Sequence, residues 1–188
     1  LSTRCHDTAE DMLRDADTAL YRAKSSGKAR FAIFDPKMRE SAVRLMQLET
    51  DMRRAIAKSE FFLNYQPIIS LESGRLTGFE SLIRWNHPER GLISPAEFIP
   101  MSEDNGLINP IGRWVLHESC RQLREWHKTY PSVQPVTMNV NISGRQFSQP
   151  DLIDTISRTL KDTGLDAQYL KLEITESVLM ENAESAAE

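Results

Sequence analysis

Two strand-like runs separated by only four residues constrain this chain more than anything else in it. Phe61 to Leu71 and Leu76 to Trp85 are apolar and β-rich, and Glu72-Ser73-Gly74-Arg75 alone joins them. A parallel neighbour needs a crossover of about a dozen residues or more, so this pair is predicted to be an antiparallel hairpin. Beyond it the pattern alternates. A Pro- and Gly-bearing loop at His87 to Pro95 leads into a short helix near Ala96 to Asn105. A long amphipathic helix at Pro110 to Tyr130 follows, with Trp114, Leu116, Leu123 and Trp126 as its apolar content. Val136 to Ile142 reads as a third strand, Gln149 to Thr163 as a helix stopped by Gly164, and Leu170 to Thr175 as a fourth strand. Another helix begins near Val178. Strands alternating with helices after an initial hairpin predict a parallel α/β architecture. A closed (β/α)8 barrel takes eight strands and typically about 250 residues. Four strands would be roughly the first half of one.

The segment before the hairpin reads differently. Residues 8–26 have a helical pattern in Met12, Leu13, Ala16, Leu20 and Ala23, with Thr8 as cap and Gly27 at the exit. Arg30 to Phe34 is predicted to be a short strand ended by Asp35-Pro36. A further helix runs from Lys37 to Lys58. In it Met38, Leu45 and Met52, and likewise Ser41, Leu48 and Ala55, recur seven apart, a narrow seam suited to a partner helix or to a domain surface. One helix and one strand cannot bury a core, so 1–36 is expected to belong to a domain that begins upstream. The start on Leu1 and the helix-like end from Glu181 to Glu188 point the same way, to an internal piece of a longer protein.

Polar groups near the ends of these strands carry the chemistry. Glu80 lies in FESLIRW, Asn141 in MNVNIS, and Glu173 and Glu176 in LEITES. An unpartnered carboxylate is costly to bury, so three apolar strands each bearing such a group suggest one shared site. Residues two apart in a strand share a face, which groups Glu80 with Arg84, Asn139 with Asn141 and Ser143, and Glu173 with Thr175. Ligands of parallel α/β sheets bind at the carboxyl ends of the strands, and hard oxygen donors suit Mg²⁺ or Mn²⁺. Gln66, beside Pro67, can hydrogen-bond a polar ligand in the same mouth. Each residue also has a plainer role open to it. Glu80 and Arg84 can form a structural ion pair, Asn141 and Ser143 can cap a helix, and Glu176 can sit favourably at a helix N-terminus.

Composition sets limits rather than a function. With 40% hydrophobic and 27% charged residues the chain is ordinary globular protein, and a net charge of −4 argues against a broad nucleic-acid surface or polybasic membrane docking. Cys5 and Cys120 have no CxxC or Cys/His spacing and read as free thiols in a reducing compartment. His6, His87, His117 and His127 show no ligand spacing either, and Trp85, Trp114 and Trp126 read as core.

The strings YQPI (65–68), FESLIRW (79–85), HPERGLISPAEFIPMSEDNGLI (87–108), NVNISGRQF (139–147) and LEITES (172–177), in this order, strongly resemble the EAL domain of cyclic di-GMP phosphodiesterases. RDADTALYRAKSSGKARFAIFD, within residues 1–36, resembles the last helix and strand of a GGDEF (diguanylate cyclase) domain. The resemblance divides the chain into the end of a GGDEF domain (1–36), a connecting helix (37–56) and the N-terminal half of an EAL domain (57–188). It implies a (β/α)8 TIM barrel with one antiparallel strand, present as its first half. It also implies hydrolysis of cyclic di-GMP to pGpG with two divalent cations, Mg²⁺ or Mn²⁺. By motif, Glu80, Asn141 and Glu173 would ligate metal, Glu80 and Glu176 would serve catalysis, and Gln66 and Arg84 would contact guanine and phosphate. The implied setting is cytoplasmic, with cyclic di-GMP as partner, no nucleic-acid polymer, no membrane contact from this segment, and a homodimer of the parent as one mode of assembly.

Two departures qualify this. The signature reads Glu80-Ser81-Leu82 where Ala usually stands in the middle, and strand geometry turns Ser81 away from Glu80. The family's paired aspartates, lysine, later glutamate and glutamine would fall beyond Glu188, so residues 1–188 alone are expected to be inactive. A degenerate EAL domain acting as a non-catalytic cyclic di-GMP receptor is the alternative reading.

Overall fold

A computed structural model describes residues 8–25, 31–131 and 135–174, and divides the chain into two units, 1–51 and 52–188. In the first unit α1 (Ala9–Ser25) begins as expected, the Asp11 amide donating to the Thr8 hydroxyl at 3.1 Å. Its expected apolar stripe, however, lies open: Met12, Leu13, Ala16 and Leu20 are exposed, while Asp15, Ala19 and Ala23 are buried. Over residues 31–34 the strand expected at 30–34 does not form. Phe31–Asp35 have no regular structure and Phe31 and Ile33 are exposed; among the described residues no strand lies beside them, and an isolated strand leaves its backbone groups unpaired. Arg30 and Gly27 lie outside the described residues.

Helix α2 (Pro36–Lys58) continues from the first unit into the second. Of the heptad seam, Leu48, Met52 and Ala55 are fully buried. The helix ends at Ser59, whose positive φ of 55° turns the chain into the sheet.

The second unit is built on a five-stranded mixed sheet, with β1 (Phe61–Ile69), β2 (Leu76–His87), β4 (Thr137–Ile142) and β5 (Leu170–Ile174) in the order β1-β2-β4-β5. The hairpin is antiparallel as expected, pairing Gln66 with Glu80 and Phe61 with Trp85. β2–β4 and β4–β5 are parallel. The fifth strand, β3 (Gly91–Ile93), falls in the segment expected to be a loop; it folds back on the end of β2, with Trp85 opposite Ile93. The His87 ring holds that return, its Nδ1 accepting from the Glu89 and Arg90 amides at 3.1 and 3.2 Å.

Helices α3 (Pro95–Asn105), α4 (Ile108–Thr129), the one-turn α5 (Gly144–Phe147) and α6 (Leu152–Thr163) complete the unit, with a 3-10 turn at Ala167–Tyr169 before β5. α4 packs on β4 and on α6. The core lies on the helix side of the sheet, where Met138, Val140 and Ile142 alternate inward from β4 and Leu116, Cys120 and Leu123 descend from α4. Trp85 is fully buried in an aromatic cluster, 5.4 Å from Phe61 and 5.7 Å from Phe98 between ring centroids, and its indole N–H donates to Glu60 at 3.1 Å. Trp114 and Trp126 are half-buried. Burial pushes the Cys120 thiol up to about 12, so this cysteine is an inert packing group. Cys5 lies outside the described residues, and no helix among those described is long and apolar enough to cross a membrane.

Two measurements probe this packing. Tyr65 stacks edge-on against Trp126 at 4.9 Å, and burial, helped by the nearby Glu118 carboxylate, pushes its hydroxyl from 10.0 up to about 12. Between these values the unfolded chain has lost a proton that the folded chain keeps, so stability should fall as pH rises through this window. Urea unfolding from pH 9 to 12 should show the fall, and Tyr65→Phe should flatten it. Gly78 permits the close approach of β4: a Cβ there would lie 2.6 Å from the Thr137 hydroxyl and 2.9 Å from its carbonyl oxygen. Gly78→Ala should cost about 1–3 kcal/mol in the same unfolding measurement, because backbone must move.

Candidate metal and substrate site

The face of the sheet opposite the helices is polar. It is assembled by register: Gln66 on β1 is the partner of Glu80 on β2, Glu80 of Asn139 on β4, and Asn141 of Glu173 on β5. Cross-strand partners share a face with Cβ atoms about 5 Å apart. The three residues expected to hold a metal therefore converge. The Asn141 amide nitrogen donates to Glu80 Oε1 at 2.7 Å, and Glu173 is the next residue across.

The amide orientations follow from chemistry. A carboxylate can only accept, so Asn141 must turn its NH₂ toward Glu80, leaving Oδ1 as the atom able to ligate a cation. The same holds for Asn139, whose Nδ2 donates to Glu173 Oε1 at 2.5 Å. Its Oδ1 is buried and has no hydrogen-bond partner among the described residues. Two carboxylates with two amide oxygens, one of them orphaned, fit a hard divalent cation. No group of three His, Cys, Asp or Glu able to hold a metal occurs among the described residues, since half of this oxygen set is amide.

Local sequence explains why β4 ends where it does. Ser143 caps α5 in a capping box: its hydroxyl accepts from the Gln146 amide at 3.3 Å, and Gln146 Oε1 accepts from the Ser143 amide at 3.1 Å. Gly112 on α4 leaves room for that Gln146 side chain, as a Cβ would fall 1.8 Å from Nε2. Of the capping roles open to Asn141 and Ser143, Ser143 takes the cap and Asn141 faces Glu80. The helix expected from Gln149 begins instead at Leu152; the one-turn helix ends at Phe147, and residues 148–151 link the two.

The remaining candidates are placed less closely. Glu80 lies mid-strand, because β2 runs on to His87. Arg84 shares its face but stands four residues along, about 13 Å of extended chain, and its Nη1 donates to the Ile83 carbonyl at 2.8 Å rather than to Glu80. Gln66 is exposed beside Glu80. Glu176 and Thr175 lie outside the described residues. Ser81 does face away from Glu80. It is 3% exposed, and its hydroxyl donates to the Asn139 carbonyl at 3.2 Å, tying β2 to β4 from beneath. Asn139 is the residue that sequence reasoning grouped with the site yet gave no role; its spacing two residues before Asn141 was the available signal. His117 is exposed on α4, and His127 Nε2 lies 3.0 Å from the Val136 carbonyl, so neither joins the site.

Residues 49–188 match the family model of the EAL domain. Protein y4lL of Sinorhizobium fredii, which is uncharacterized, is 41% identical over 184 residues, covering 98% of this chain and 22% of that protein. The bifunctional diguanylate cyclase/cyclic di-GMP phosphodiesterase MucR of Pseudomonas aeruginosa is 37% identical over 183 residues, covering 95% of this chain and 26% of MucR. The chain thus spans about a quarter or less of the length of these curated relatives. The solved PaMucR phosphodiesterase in complex with c-di-GMP aligns with a TM-score of 0.70 and 39% identity, over 74% of this chain and 56% of that one. A family match over most of the chain, a sheet that aligns with a solved member, and signature strings on one polar face lead to one conclusion: this chain belongs to the EAL domain family.

Proposed function

We propose that the protein carrying this chain is a phosphodiesterase that opens cyclic di-GMP to linear pGpG with Mg²⁺ or Mn²⁺. One observation carries this reading: Asn141 bonds Glu80 at 2.7 Å with Glu173 next in register, so oxygen donors from three strands face one place. The names of similar proteins, among them MucR, support the substrate class.

Glu80, Asn141 and Glu173 would hold the cations, with Glu176 as a supporting carboxylate. Divalent ions held there would supply polarisation of the phosphodiester and a lowered pKa for a water. The Asn141 N–H keeps Glu80 oriented while its oxygen stays available. Gln66 reads a guanine edge beside Glu80, and the Arg84 guanidinium neutralises phosphate charge further along the same face.

The fold and domain readings belong to the same proposal. Residues 57–188 form the first half of a (β/α)8 barrel, 37–56 a connecting helix, and 1–36 the end of a GGDEF domain. The alignment with MucR, a named diguanylate cyclase, extends over 95% of the chain and so reaches upstream of residue 49. The proposed substrate is a cytoplasmic nucleotide, and a homodimer is one mode of assembly open to the parent protein.

The test is turnover of cyclic di-GMP by the full-length protein with Mn²⁺, followed by chromatography of pGpG. Glu80→Ala should lower the rate by at least about a hundredfold, and residues 1–188 alone should give none. Tight binding of cyclic di-GMP without pGpG would replace the hydrolase by a receptor. An unchanged rate in Glu80→Ala would remove Glu80 from the metal shell.

A further inference from the structure

Asn139 has a part in this face that the signature strings do not assign. It sits on β4 between the two carboxylate strands, the Cα partner of Glu80 being Asn139 itself, and its Nδ2 donates to Glu173. It is only 9% exposed, although Asn141 two residues on, and Glu173, are exposed. Because Glu173 fixes which end of the amide carries the hydrogens, Oδ1 can only accept, and no donor among the described residues reaches it, its Cα partner Lys171 included. A buried acceptor without a donor is unfavourable. On the core side this would count as a packing defect. Beside two carboxylates it reads as an atom waiting for a partner that is not protein.

We propose that Asn139 is a positioning residue for the cation site: its amide nitrogen orients the Glu173 carboxylate, and its amide oxygen accepts from the water shell of the bound divalent ion. Mg²⁺-like ions keep several of their waters, and these supply the O–H donor that Oδ1 lacks. One side chain thus serves both a ligand and the ion's hydration. Its strand neighbour Ser81 fixes the backbone at the same residue, donating to the Asn139 carbonyl at 3.2 Å, so the side chain leaves the sheet from a tethered point. This inference rests on the cation-site reading of Glu80, Asn141 and Glu173.

The two are separable by Mn²⁺ binding to the full-length protein, followed by the loss of the free-ion electron paramagnetic resonance signal, together with thermal unfolding in chelator. Asn139→Leu keeps the size and removes both polar atoms. It should weaken Mn²⁺ binding by about 10–100-fold, while the unfolding temperature without metal stays equal or rises, because the orphaned acceptor is gone. Asn139→Ser, whose hydroxyl both donates and accepts, should fall between Leu and the parent. Asn139→Leu binding Mn²⁺ within about twofold of the parent would overturn the positioning role and leave the cation site standing. A lowered unfolding temperature in chelator that accounts for the lost affinity would show Asn139 to be structural, and overturn it too. Absence of Mn²⁺ binding by the parent protein would overturn the cation site itself, and this role with it.

Discussion

Parallel pairing of β4 between β2 and β5 is the constraint on which the rest depends. Its six residues serve two opposite demands by strict alternation: Met138, Val140 and Ile142 fill the core under α4, while Asn139 and Asn141 reach the carboxylates of the flanking strands. Each asparagine spends its N–H groups on a carboxylate one strand away, Asn141 toward Glu80 and Asn139 toward Glu173. The amides thus link two anions carried by the strands on either side of β4, and neither carboxylate forms an ion pair among the described residues. That is the condition under which a divalent ion, rather than an Arg or Lys, becomes the natural counter-charge. The hydrophobic face supplies the rigidity this needs, since close-packed interiors resist small displacements.

Where the sequence could be read, it was local chemistry that made it legible. A four-residue connection dictated the antiparallel hairpin, and β1 pairs with β2 that way from Phe61 to Ile69. Thr8 at the start of α1, the Gly164 exit of α6 and the helix across Lys37 to Lys58 were visible for the same reason. Strand alternation predicted that Glu80, Asn141 and Glu173 lie on related faces, but register, which decides who meets whom, has no short-range signature. That is why a Glu80–Arg84 pair stood open until Asn141 was found on Glu80.

What could not be read depends on distant partners. β3 is three residues long and exists because the end of β2 extends far enough to pair with it; in isolation its sequence is a loop. Residues 31–34 have strand-forming side chains, but no strand lies beside them among the described residues. The stripe of α1 has helical spacing, yet exposure falls on Met12, Leu13 and Leu20, since periodicity says which residues share a face and never what covers it. Asn139 shows the same limit at the site, where its role rests on a bond made thirty-four residues away.

The serine in the middle of the signature has a consequence for how the site is assembled. A slide of β2 by one position against β4 would turn every side chain over. Glu80 would be driven beneath Trp126 and its neighbours, and Phe79 pushed into water. Ser81 would lose the carbonyl it now holds at 3.2 Å. Misalignment is penalised by charge burial, by wasted aromatic surface and by a broken hydroxyl contact at once. The same apolar and polar alternation that builds the core therefore proofreads the placement of the acidic residue during folding.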